Sequence, residues 1–153
     1  MPVTVHIWRP QSILSLGHAS MSLSDGTYIS LWPNCGQNPK KDLFLCFQNF
    51  PAVRNRTFID DLIEYENRRI TYRIPGAFID ENTIQIWWTQ FIQRAQWRIF
   101  DQNCCTVIFL ALTTGNALNI FPEEDAEDYR NVCLWTPDHI QIFVEELLDH
   151  LRQ

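Results

Sequence analysis

The sequence predicts an α+β fold in which a small antiparallel sheet packs against a buried, cysteine-bearing helix and additional helices. Residues 3–8 and 18–32 alternate apolar and polar side chains with the period of a strand. Residues 103–115 are apolar nearly all round over the length of a helix, and residues 80–95 and 136–151 repeat apolar side chains at helical spacing. A chain of 153 residues fits one domain, 1–153, large enough to bury a real core. Its 46% hydrophobic content, with six Trp and ten Phe, argues against disorder.

The amino-terminal run Val3-Thr4-Val5-His6-Ile7-Trp8 reads as a first strand ending before Pro10, with His6 half-exposed on its polar face. Residues 18–32 read as a hairpin around Ser24-Asp25-Gly26. A three-residue connection with Gly in the last, left-handed position puts Ala19, Met21, Leu23, Ile29 and Leu31 on one face. His18, Ser20, Ser22, Tyr28, Ser30 and Trp32 then share the other. Pro33 to Pro51 holds a short apolar run, Leu43 to Phe47, that fits either a strand or a tucked loop. Thr57 to Asn67 reads as a short acidic helix with Phe58, Leu62 and Ile63 inward, and Arg69 to Ile74 as a strand stopped by Pro75-Gly76.

Asp80 caps an amphipathic helix whose apolar stripe, Ile84, Trp87, Trp88, Phe91, Ile92 and Ala95, assigns its tryptophans to the core. Asn103 is a good N-cap and Gly115 a stop for the helix Cys104 to Thr114. Phe121 to Arg130 is an acidic, exposed connector without the spacing of a metal loop. The last helix has Thr136 as N-cap, Pro137 at its first position and Trp135 placed to staple against Ile140.

Charge and cysteine usage narrow the function. A net charge of −6 with scattered Lys and Arg argues against a nucleic-acid or anionic-membrane surface, and Arg54, Arg56, Arg68 and Arg69 read as solvated. No window is apolar for long enough to span a bilayer and the amino terminus has no secretory pattern, so a cytoplasmic protein is expected. Five Cys, at 35, 46, 104, 105 and 133, are odd in number and lack paired C-x-x-C spacing. Reduced thiols, with no metal and no cofactor, follow.

The chemistry concentrates at Cys104. As the first helical residue after a cap, it sits where free N–H groups and the helix dipole favour thiolate over thiol, as a cysteine nucleophile requires. Small apolar cysteines also fill space at helix starts, and a lone strand histidine such as His18 is commonly a surface or hydrogen-bonded residue. His139, near the start of the last helix, is a reserve base.

Gly17-His18-Ala19-Ser20 opening a hairpin that ends Tyr28-Ile29-Ser30-Leu31-Trp32-Pro33, Ile74-Pro75-Gly76 before a Trp-rich helix, Asn103-Cys104 opening a buried helix, and Trp135-Thr136-Pro137 occur together over residues 3–150. This combination resembles the circularly permuted papain-like thiol hydrolases and acyltransferases. The broad group includes NlpC-type peptidases and lecithin retinol acyltransferase relatives; more narrowly, the chain looks like bacterial effector or toxin domains with these motifs. The resemblance implies a permuted papain-like fold with Cys104 as nucleophile and His18 as base. Cys105 stands where a small hydroxyl residue is commoner. Ser30 and Ser20, on the face of His18, are candidates for orienting the imidazole, and Asn103, Cys105, Ser20 and Trp32 for the cleft and oxyanion site.

The expected substrate is a peptide, amide or other acyl compound, including a host or target-cell protein if the chain is delivered into another cell. The expected chemistry is a thioester intermediate, with backbone N–H groups at the start of the cysteine helix stabilising the oxyanion. The rival from another class is a catalytically inactive adaptor of the same fold that recognises a protein partner. A redox role for Cys104-Cys105 is disfavoured by the strain of a bridge between adjacent cysteines.

Overall fold

Along β1 (Val3–Trp8) the β-branched and aromatic residues favour extended backbone, and their alternation gives the strand two different faces. It pairs antiparallel with β2 (His18–Ser22) on one side and β5 (Arg69–Ile74) on the other. With β3 (Tyr28–Ile29) beyond β2, the sheet order is β3-β2-β1-β5. A smaller pair joins β4 (Phe50–Pro51) to β6 (Gln96–Trp97). The helices are α1 (Phe58–Glu64), α2 (Glu81–Phe91), α3 (Cys104–Thr114), α4 (Glu123–Arg130) and α5 (Pro137–Arg152). The fold is thus mixed α+β, as the sequence predicts. The computed structural model describes residues 1–10, 17–34, 49–65 and 69–153. The Leu43 to Phe47 run, Cys35, Cys46, Arg68 and the Asn67 end of the acidic segment lie outside them.

One sheet face forms the core. Val3, Val5, Ile7, Ala19, Met21, Ile29 and Leu31 are fully buried there, and α3 packs on β2 while α5 packs on β1. Each large aliphatic side chain so buried stabilises the fold by roughly 1.5–3 kcal/mol. The hairpin register matches its sequence pattern. Met21 pairs with Ile29 and Ser22 with Tyr28, Leu23 N–H donates to Thr27 O, and Gly26 takes φ +92°.

The opposite, polar face is covered as well, which the sequence did not predict. His6, expected half-exposed, is buried; its Nε2 bonds Ser22 Oγ at 3.1 Å and its ring lies 4.7 Å from Phe58. Burial and the neighbouring Arg69 push its pKa down to about 4. The cover comes from α1 and corrects its predicted orientation. Leu62 and Ile63, expected inward, are 40% and 71% exposed, Phe58 is half-buried, and the inward residue is Asp61 at 0%.

Further along the chain, Ile84, Trp88, Ile92 and Ala95 are buried, with Trp87 and Phe91 partly so. The acidic connector is itself helical over α4, with Ala126 turned inward. Asp80, Asn103 and Thr136 cap their helices through side-chain oxygens. Gly115 ends α3 with φ −82°, while the left-handed residue is Asn116 at +70°. Among the described residues no helix is long and apolar enough to cross a membrane.

Candidate active site

Asn103 fixes the start of α3. Its Oδ1 accepts from Cys105 N at 2.8 Å and Thr106 N at 2.9 Å, and its Nδ2 donates to Ile99 O at 2.7 Å and Trp135 O at 2.9 Å. The cap therefore also ties the helix start to the entry of α5. Cys104, next in the chain, is half-buried on a cavity of about 110 Å³.

His18 reaches the same cavity from the first residue of β2. Gly17 before it has φ +68°, and a Cβ there would lie 2.5 Å from Trp8 O and 2.9 Å from Pro137 Cγ. Only glycine fits so close an approach in that conformation. The buried imidazole is gripped by rings: Tyr65 stacks parallel at 5.2 Å, Trp8 tilts at 5.5 Å, and Trp32 meets it edge-on at 5.7 Å. Its Nε2 lies 3.0 Å from Asp61 Oδ2 and 3.0 Å from Ser30 Oγ. Cys104 lies close enough for its thiolate to raise the pKa of the imidazole, and both side chains line the cavity. With Nε2 occupied, Nδ1 is the nitrogen left for the thiol.

Asp61 has no exposed surface and is held by donors around it. Ser30 Oγ and Tyr28 OH donate to Oδ2, and Arg56 Nε donates to Oδ1 at 2.7 Å. The Arg56 guanidinium in turn lies 4.2 Å over the Trp32 ring, so it is not the solvated residue that the sequence suggested. Burial alone would raise the Asp61 pKa, but His18 and the hydroxyl donors hold it well below the ordinary carboxylate range. Burial likewise pushes His18 down, and the Asp61 carboxylate and Cys104 thiolate overcome that and hold it at about 9.

At Cys104 the hydrogen bond from the Cys105 thiol lowers the pKa most. Burial opposes it, and His18 and the Ala19 N–H add to the lowering, leaving the group well below an ordinary thiol. The two sulfurs are 3.9 Å apart. Burial and the adjacent thiolate push Cys105 the other way, well above its usual value. Asymmetry between neighbouring thiols thus leaves one ionised and the other a proton donor.

Of the residues singled out in the sequence, Cys104, His18, Ser30 and Trp32 converge, and Asn103 and Cys105 line the cavity. Ser20 does not reach the imidazole; its Oγ is hydrogen-bonded with the Tyr28 hydroxyl at 2.7 Å. His139 is exposed and bonded to Thr136 Oγ1 at 2.9 Å. The expected row of free helix N–H groups is also corrected, because the Asn103 side chain takes those of Cys105 and Thr106. That leaves the Cys104 N–H as the donor at the helix start, and Asn103 has no amide hydrogen spare for an oxyanion.

Asp61, Tyr65, Arg56 and Tyr28 were missed. A usable signal existed, since Thr57 and Asp60 form a capping box that starts a helix at Phe58. Helical spacing from there puts Phe58, Asp61 and Tyr65 on one face. No protein-family model, curated protein or solved structure matches this chain.

Proposed function

We propose that this protein is a cysteine-dependent hydrolase or acyltransferase acting through a Cys104–His18–Asp61 relay. One observation carries the reading: a low-pKa thiol at a capped helix start lines one cavity together with an imidazole that helps to lower the thiol's pKa and whose far nitrogen rests on a buried carboxylate. The resemblance to permuted papain-like enzymes supports the same assignment of Cys104 and His18.

The Cys104 thiolate attacks an acyl carbon, forming a C–S bond, and the carbonyl electron pair moves to oxygen. The Cys104 N–H faces the resulting oxyanion. On collapse the C–N or C–O bond breaks, and the leaving group takes the proton from His18. His18 then removes a proton from water, or from an acceptor nucleophile, as it attacks the thioester; the acid or transferred acyl product leaves and the thiolate returns. Asp61 holds the imidazole orientation and stabilises its charged form throughout.

Iodoacetamide labelling with residue-level mass spectrometry tests the reading. Cys104 is expected to alkylate ahead of exposed Cys133 at pH 6, and His18→Ala to slow it by about tenfold or more. Equal labelling of the thiols, unaffected by His18→Ala, would leave the adaptor reading in its place.

A further inference from the structure

The cavity beside Cys104 has walls that say what kind of acyl group it takes. Trp32, Trp97, Trp135, Ile99 and Leu134 line it together with Cys104. Apart from the Cys104–His18 pair, no described lining residue carries a charge. Of the wall's other polar side chains, the amide, the phenol and the threonine hydroxyl are already engaged within the protein, and the indole N–H groups are neutral donors. Asn103 uses its oxygen and both amide hydrogens on backbone groups, the Tyr65 hydroxyl donates to Gly17 O at 3.2 Å, and Thr136 Oγ1 is bonded by His139. A charged substituent entering here would lose its hydration and, among the described lining residues beyond the Cys104–His18 pair, meet no opposite charge, at a cost of several kcal/mol.

From this we infer that the acyl donor carries a compact, uncharged apolar acyl group, seated among these indole and aliphatic walls. This rests on the thiol reading above. The volume of about 110 Å³ sets the size. A cavity of roughly 150 Å³ accepts a benzene ring, so about four to five carbons fit beyond the carbonyl carbon held at the sulfur. Specificity of this kind comes from shape and excluded water, and it rejects a carboxylate more strongly than it resolves one methylene.

The test compares p-nitrophenyl esters of acetic and hexanoic acids with the mono-p-nitrophenyl ester of hexanedioic acid, which keeps the six carbons of hexanoyl with a carboxylate in place of the terminal methyl. In each, the Cys104–acyl bond forms as the ester C–O bond breaks and p-nitrophenolate leaves. Single-turnover release and the mass added at Cys104 are read, each rate divided by that of free cysteine. Hexanoyl transfer is expected to exceed both hexanedioyl and acetyl transfer by about tenfold or more. Leu134→Arg, which puts a cation in the wall, is expected to narrow or invert the hexanoyl-to-hexanedioyl ratio; the wild-type ratio decides the matter should that variant not fold. Equal hexanoyl and hexanedioyl transfer, or none of either, while iodoacetamide still labels Cys104 selectively, overturns the apolar-acyl inference and leaves the thiol mechanism standing. Loss of selective labelling as well overturns both.

Discussion

Asp61 is the residue on which the candidate site turns, because a carboxylate without water is stable only while its donors remain. Asp61→Asn keeps the shape and removes the charge that holds the imidazolium, so turnover of an accepted ester is expected to fall by about 10²–10⁴. It also leaves the half-buried Arg56 without its anion, for which a stability loss of about 3–5 kcal/mol is expected from urea midpoints. Ser30→Ala removes one neutral donor and is expected to cost about 1 kcal/mol, with a smaller loss of turnover. The pH profile separates charge from packing. In the wild type Cys104 alkylation should hold up below neutral pH, whereas an ordinary thiol loses about tenfold per pH unit there. In Asp61→Asn the profile should move towards the ordinary one, an effect that a merely loosened site would not produce.

At the scale of elements, the site is a junction of three segments: the first residue of β2, the first residue of α3, and the inner face of α1. Gly17 sets the first of these. Gly17→Ala would place a Cβ 2.5 Å from Trp8 O in a left-handed backbone, where neither a carbonyl in a sheet nor the Pro137 ring can easily retreat. A loss of about 1–3 kcal/mol is expected by thermal or urea denaturation, together with slower Cys104 alkylation as His18 shifts. The same junction explains what could be read from sequence. The hairpin of β2 and β3 and the capped start of α3 are local, fixed by turn chemistry and by side chains two or three residues apart, so the positions of Cys104, His18 and Ser30 on their elements were legible, while the pairing of Cys104 with His18 rested on the family resemblance. The α1 contribution is not local, since Asp61 meets His18 across 43 residues of sequence. Composition there points the wrong way: Ile59 and Ile63 lie outward, and an aspartate that usually faces solvent lies inward. Helical spacing from the capping box was the better guide than hydrophobicity.

Across the whole molecule, an ion pair made from a thiol and an imidazole leaves a signature in the pH dependence of folding. His18 is raised from 6.5 to about 9, so its contribution is complete below pH 6.5 and drains as pH rises towards 9. Cys104 is lowered from an ordinary 9.0, so its contribution is complete above 9 and drains as pH falls. Between pH 6.5 and 9 the unfolded chain carries one proton on this pair, on sulfur, and the folded protein carries one, on the imidazole. The two trends cancel and the pair leaves stability flat across that window, with a decline below pH 6.5, where the unfolded chain takes up a second proton. Cys104→Ala removes the rising half and leaves His18 on Asp61. Stability of the variant is then expected to fall above pH 6.5, over a window that closes below 9 because the thiolate's share of the His18 shift is gone, with a slope of up to about 1.4 kcal/mol per pH unit. Urea midpoints of wild type and variant at pH 6.5, 7.5 and 8.5 measure this directly. If the variant is as flat as the wild type, Asp61 alone does not hold His18 charged in the fold; if the wild type already slopes downward as steeply as the variant, the thiol is not ionised beside it and the nucleophile is not pre-formed.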